Sequence, residues 1–401
     1  MNPWPLARAA LRRRWLSALT MALLIAVATG LGVGIGALER ASRKAAAQAA
    51  DAFDLVIGAP GGPTQLVMAS VYLKPESVPL LDPAVVARVL AEKEAAWSSP
   101  IGFGDSYQGH PVVGVSPAFI DRAGTRSLAE GKVFGQEEEA VVGAAVPLAL
   151  GATFSPVHGL IEAHEHEGHV HSEIGYRIVG RLPPTGTPWD GAILVPIESV
   201  WEIHGLGNGH PPGVERVGPP WEQPSGVPAI VVKPRSFAGA YQLRARYRTA
   251  TSTAVFPGEV LAEMFRTLGD VRAVLSGMAA ATSVLVVVAV FLAFTALVAG
   301  RAREHAVLRA LGAAPLFVLL ALWLELGVIL AAGVVAGLAL GWAAAAAAGS
   351  ALGRSAGVAI DVGLGGNEIM LAGVTLLAAL AAAALPAGLA SRLSPATLLK
   401  R

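Results

Sequence analysis

Four long stretches of this chain carry no Asp, Glu, Lys or Arg, and no other feature constrains its fold as strongly. They run Trp15–Leu38, Ala273–Gly300, Leu326–Gly353 and Ile369–Ser391, at 24, 28, 28 and 23 residues. The apolar run Ala310–Leu324 extends the third backwards, with only Glu325 between them. A helix needs about 20 apolar residues to cross the hydrocarbon core of a bilayer, so each stretch is long enough to span. The segmentation predicts transmembrane helices at 15–38, 273–300, 315–349 and 369–391. A basic n-region (Arg8, Arg12, Arg13, Arg14) precedes the first span, as in a secretory signal. Its apolar part is too long for a signal and no small-x-small cleavage site follows, so it reads as a retained helix.

Lys and Arg concentrate on one side of these spans. Residues 1–14 hold four Arg, the connection 301–314 holds Arg301, Arg303 and Arg309, and 392–401 holds Arg392, Lys400 and Arg401. The positive-inside bias places all three segments, and both termini, in the cytoplasm. Residues 39–272 and the short loop 350–368 then lie outside. The 39–272 segment contains 19 Lys/Arg and 25 Asp/Glu among 234 residues, close to the charge of a soluble domain. The chain therefore reads as two objects, a helical membrane unit and a folded outer domain inserted after its first span. The absence of Cys excludes a disulfide-rich scaffold and suits an oxidising compartment. The net charge of +1 offers no global attraction to nucleic acid.

The outer region mixes helices and strands, giving an α+β class. Glu39–Phe53 continues the first span as an Ala-rich helix, and Gly258–Arg272 runs into the second with Val260, Leu261, Met264, Leu268 and Val271 at helical spacing. Two such helices leaving the membrane would form a stalk. Asp82-Pro83 caps a helix expected over Ala84–Trp97. Strand candidates are Leu55–Ile57, Val112–Val115, Ala140–Val142, Tyr176–Leu182, Ala192–Pro196 and Ala229–Lys233. Gly205–Pro224 reads as a long loop, mobile or functional.

Five of the nine His fall between His158 and Glu173. His164, His166, His169 and His171, interleaved with carboxylates, have the donor chemistry to ligate Zn²⁺, Cu²⁺ or Ni²⁺. Their spacing matches no catalytic metal motif. A solvated polar loop and a pH-responsive loop are the alternatives. The isolated His110, His204, His210 and His305 read as ordinary polar residues.

The connection Arg301-Ala302-Arg303-Glu304-His305-Ala306-Val307-Leu308-Arg309-Ala310-Leu311-Gly312-Ala313 is amphipathic. Ala306, Leu308, Leu311 and Gly312 are placed to dock, while Arg301, Arg303, Glu304 and Arg309 stay solvated or pair. Simple positive-inside anchoring would look similar. The segment resembles the R-R-R-E-I-x-x-L-R-A-L-G-A signature of FtsX-like permeases, the transmembrane subunits of type VII ABC systems. The likeness continues in Leu324-Glu325-Leu326-Gly327, in Gly333, Gly337 and Gly341, and in the tail Leu393-Ser394-Pro395-Ala396-Thr397-Leu398-Leu399. Glu139–Gly143, Tyr176–Gly180 and Ile193–Pro196 are similar to strands of a MacB-like periplasmic core domain.

That resemblance implies a non-catalytic permease of four transmembrane helices with an α+β extracytoplasmic domain on a helical stalk, in a bacterial inner membrane. It implies that 301–314 is a coupling helix docking on a cytoplasmic ABC ATPase, which binds ATP and Mg²⁺. It further implies a second permease copy, identical or related, and mechanical work on a periplasmic cargo or partner protein. This chain has no G-x-x-x-x-G-K-[ST] loop and no assignable cofactor of its own. A regulator that recruits a periplasmic enzyme, or a metal-handling module using the His-rich loop, are the other readings. Glu325 is costly inside a membrane and is a functional candidate by default. Pairing with Arg303 or Arg309 would reduce that cost.

Overall fold

In this computed structural model, the residues described are 2–158 and 175–267, part of 268–300, and 301–392. The chain divides into two compact units. One comprises Met1–Arg43, Leu268–Leu352 and Ile360–Arg401; the other comprises Lys44–Thr267 and Gly353–Ala359. Helices α1 (Trp4–Arg13) and α2 (Trp15–Asp51) open the chain. Six shorter helices belong to the second unit: α3 (Pro63–Ser70), α4 (Pro83–Leu90), α5 (Pro117–Asp121), α6 (Ile197–Ile203), α7 (Phe237–Tyr247) and α8 (Pro257–Thr267). Then come α9 (Ala302–Ala310), α10 (Pro315–Ala356) and α11 (Gly366–Arg392).

Among the described residues, three helices are long and apolar enough to cross a membrane: α2, α10 and the Gly366–Ala384 part of α11. The span predicted at 273–300 lies partly outside the described residues, and those described within it are helical. In the first unit, α2 packs on α10 along a seam of small residues. Cβ atoms at Gly333 and Gly337 would lie 2.8 Å from the Ala22 carbonyl oxygen and 2.7 Å from the Ala26 carbonyl oxygen. One turn further on, Gly341 abuts Gly30. Without a hydrophobic drive between helices in lipid, this close backbone approach is what holds such pairs together. The other side of α10 packs Val318, Leu322, Leu326, Ile329, Leu330 and Val334 with Ala372, Ala379 and Ala383 of α11. Those alanines recur at the helical spacing that keeps one face small.

The second unit is built on a mixed sheet. Its strands are β1 (Leu55–Gly58), β2 (Ala95–Tyr107), β3 (His110–Val115), β4 (Glu130–Gly131), β5 (Glu139–Val142), β6 (Thr153–Phe154), β7 (Val157–His158), β8 (Tyr176–Arg181), β9 (Ile193–Pro196), β10 (Ala229–Pro234) and β11 (Thr253–Val255). The order is β11-β1-β10-β2-β3-β9-β5-β8-β4, with β6 on β8 and β7 on β2. β3–β9 and β5–β8 are parallel. Each face carries its own core. Leu55, Ile57, Ile230, Val232, Ile193 and Val195 point to one, and Val56, Val231, Val113, Val115 and Leu194 to the other. Period-2 alternation into two apolar layers explains why these strands are continuous Val/Ile/Leu runs.

The helix expected over Ala84–Trp97 ends earlier, at Leu90. Asp82 caps it as anticipated, its Oδ1 accepting the Ala84 N–H at 2.8 Å. From Ala95 the chain instead enters β2, which pairs first with β10 and then with β3. Two glycines face each other in that second pairing, Gly102 and Gly114. A Cβ on either would collide with Ile197 or Val200 of α6. Their lack of side chains seats α6 directly on the sheet, which fixes the direction in which Glu198 and Glu202 project.

Candidate functional site

The Arg301–Gly312 segment folds as α9, bounded by the buried Arg301 at its N-cap and by Leu311 at its C-cap. Its end is a Schellman motif. The Gly312 N–H bonds the Arg309 carbonyl and the Ala313 N–H bonds the Leu308 carbonyl, both at 3.0 Å. Gly312 sits at φ +93°, the left-handed conformation this motif needs and glycine adopts without strain. The Leu-Gly-Ala end of the segment is thus a helix stop. Pro315 then opens α10 at its N1 position.

Arg301 makes a two-pronged ion pair with Glu325. Its Nη1 lies 2.5 Å from Glu325 Oε2 and its Nη2 lies 2.8 Å from Oε1. Both residues are 4% exposed. Among the described residues, the partner shown for Glu325 is thus Arg301. Glu325 stands ten residues into α10, about 15 Å along its axis. Arg301 is the first cation after the charge-free stretch 273–300. The planar guanidinium fork also fits a carboxylate edge-on, which is the strong form of this contact.

The remaining predicted residues lie along α9. Glu304 is exposed and reaches Arg14 at 3.4 Å, a contact of little energetic weight at such exposure. Leu308 and Arg309 are half-buried, and Arg309 takes part in a contact of its own. The side chains of Arg303 and Ala306 lie outside the described residues. Leu311 is 80% exposed, and Val307, absent from the predicted set, is 50% exposed. Its one-turn spacing before Leu311 is the sequence signal that marks it. Arg301 and Leu311 thus have opposite fates: the first is locked inward, the second presented outward.

His164, His166, His169 and His171 lie outside the described residues. Among the described residues no group of three or more His, Asp or Glu is placed to hold a metal. His110 and His204 are ordinary, each bonding a backbone carbonyl through Nδ1 at 2.8 and 2.7 Å. His210 is not: its side chain is 2% exposed and its Nε2 lies 3.8 Å from Oε1 of the fully buried Glu198.

The fold and this site define a membrane protein with long apolar helices, a large α+β domain and a capped helical connection pinned by a buried ion pair. Residues 276–395 match the FtsX-like permease C-terminal family model. Compared with curated proteins, the sequence has no significant match. Two solved structures are similar to part of the chain. The periplasmic region of MacB from Actinobacillus actinomycetemcomitans is 11% identical, with 54% of this chain and 95% of that one covered at a TM-score of 0.34. The extracellular domain of the noncanonic ABC-type transporter YknZ from Gram-positive bacteria is 8% identical, with 50% and 98% covered at a TM-score of 0.29. At such scores neither carries the argument further.

Proposed function

We propose that this chain is the non-catalytic membrane subunit of an ATP-driven type VII ABC system, with α9 docking on a separate cytoplasmic ATPase. The observation that carries this reading is the Arg301–Glu325 pair at the base of α9, inside the FtsX-like segment. A docking helix has to transmit force to the span it precedes. A buried bidentate pair from its N-cap to α10, with a Schellman stop at its other end, gives that rigidity. Val307 and Leu311, exposed on the same helix, supply apolar anchors for a cleft. With no phosphate-cradling loop in the chain, ATP and Mg²⁺ belong to the partner. Closure of the ATPase would move α10, and the movement would perform work on a cargo or partner outside the inner membrane. Few spans per chain call for a second permease copy, identical or related, and the termini face the cytoplasm by the positive-inside bias.

The test is co-purification of the full chain with an ABC ATPase encoded beside its gene. Val307→Asp with Leu311→Asp should remove the ATPase from the eluate while the permease still elutes as one monodisperse species. Undiminished ATPase in that eluate would exclude α9 as the docking element.

A further inference from the structure

Helix α1 is basic on the side it leaves exposed. Residues 1–38 hold Arg8, Arg12, Arg13 and Arg14 and contain no Asp, Glu or Lys. Ala7 is 1% exposed, and Leu11, one turn on, packs into the apolar cluster that holds Ile25 of α2, Leu322 of α10 and Ala379 of α11. These two contacts fix how α1 is rolled about its axis. With about 3.6 residues per turn, Trp4, Arg8 and Arg12 then follow one another along a neighbouring face, and Arg13 lies further round. All four are exposed, Trp4 at 44%. Among the described residues, only Arg14 of the four arginines reaches a carboxylate, Glu304 at 3.4 Å.

The junction with α2 sets the level at which this face sits. Arg14 leaves the helical region at φ −122° and ψ 34°, while its N–H still bonds the Ala10 carbonyl. The long apolar helix α2 begins at the next residue, Trp15, which is 63% exposed. A Trp at the mouth of a span sits at the headgroup level, its ring toward hydrocarbon and its N–H toward water. Arg12 and Arg13 stand within three residues of it, and Trp4 gives α1 a second ring of the same kind.

We propose that the Trp4–Arg8–Arg12 face of α1, with Arg13, docks on anionic phospholipid headgroups in the leaflet that α2 enters at Trp15. Unpaired guanidinium groups call for anions, and their planar fork meets two phosphate oxygens at once. The covalent continuation into α2 holds the arginines where headgroup phosphates already lie. Trp4 fits that layer too, and it would contribute nothing to the capture of a small anion from solution. Each arginine beside an anionic surface gains about fivefold in binding, so three outweigh a zwitterionic surface by on the order of a hundredfold before ordering costs. A basic segment that only directs insertion needs no lasting lipid contact. A folded helix held by Ala7 and Leu11 keeps presenting the same face.

The chain has no Cys, so a single label can report on this surface. Ala9 is exposed and lies between Arg12 and Arg13 around the helix. The full chain with Ala9→Cys, carrying an environment-sensitive fluorophore in neutral detergent, is titrated with phosphatidylglycerol or phosphatidylcholine added to the micelles. Half of the blue shift should need about tenfold less phosphatidylglycerol than phosphatidylcholine, or lower still. Sodium chloride at about 0.5 M should narrow that gap by screening. Arg8→Gln/Arg12→Gln/Arg13→Gln in the labelled chain should bring the two curves within about twofold of each other, with the elution volume and the lipid-free spectrum unchanged. Coincident curves for the two lipids in the parent chain overturn the proposal whatever the variant does. So does a preference that survives the triple substitution, or one that excess glycerol 3-phosphate abolishes, which would mark a site for soluble phosphate instead.

Discussion

Glu325 illustrates how one charge in an apolar helix becomes tolerable. Removing two charges from water is expensive, and their attraction offsets this only when geometry is good and few hydrogen-bonding positions are wasted. The two-pronged contact with Arg301 meets that condition. Its main value is positional, since it ties the N-cap of α9 to a point ten residues along α10. Glu325→Met or Arg301→Met alone leaves an uncompensated buried charge and should destabilise the protein by about 3–5 kcal/mol. The double variant, with both charges gone, should recover most of that loss. Thermal midpoints of the purified chain in detergent would show it, and a double variant no better than the worse single one would mean that packing, not charge balance, dominates there.

Elements were legible in the sequence where their own residues carry the pattern. β1, β3, β5, β9 and β10 are apolar runs because both their faces are buried, and each coincides with a predicted strand to within a residue or two. β2 was illegible for the opposite reason. Its middle reads Ser98-Ser99-Pro100 and continues through Gly102 and Gly104, residues depleted in strands. Ser99 is tolerated in the core because its hydroxyl bonds the Pro100 carbonyl and accepts the Ser116 N–H, both at 2.9 Å. These reasons involve distant segments, so no local pattern records them. The same holds for the loop at 205–224: its length was visible, but not its dependence on the buried Glu198, whose Oε1 accepts the Gly218 N–H and the Trp221 Nε1–H. Similarly, Gly333, Gly337 and Gly341 stood out as punctuation in α10, whereas their partner face, from Ala22 to Gly34 on α2, did not. Gly337→Val should break that seam, since a side chain there meets the Ala26 carbonyl oxygen and Thr29 Cβ at 2.7 Å each. The cost should exceed that of Gly61→Ala, where nothing lies within 4 Å. Lower thermal midpoint and poorer recovery of monodisperse protein are the readouts; a Gly337→Val protein as stable as Gly61→Ala would show that the helices do not rely on this approach.

At the scale of the whole chain, the contrast between bare and charged stretches separated a membrane part from an outer part, yet it assigned 350–368 to a plain connection. The structure divides that loop: Gly353–Ala359 belongs to the compact unit of Lys44–Thr267, and Ile360 onward to the other. The receiving surface is the Thr185–Gly191 turn. Asp190 accepts the Thr185 N–H, the Gly186 N–H and the Thr185 hydroxyl, and Trp189 drives into the core against Phe119 and Phe53, with its Nε1–H on the Val71 carbonyl at 3.1 Å. On this rigid turn the Ala359 N–H bonds the Gly186 carbonyl at 3.1 Å, and Gly357 rests on Pro188. The outer unit is thus assembled from two separate chain segments, so a domain cut at 39–272 would lack part of its own surface. The chain's lack of Cys makes this contact directly testable. A Cβ at Gly186 would lie 3.3 Å from that of Ala359, near the roughly 3.5–4.5 Å that a disulfide requires. Gly186 has φ +70°, so Gly186→Cys carries a strain of about 1–2 kcal/mol. The Gly186→Cys/Ala359→Cys protein should nevertheless close a crosslink under mild oxidation and migrate faster on a non-reducing gel, reverting with reductant. A pair made from Gly61→Cys and Ala359→Cys serves as the background. Crosslinking no greater than that background would mean that residues 353–359 do not stay on the turn, and the outer unit would have to be redrawn as a single inserted segment.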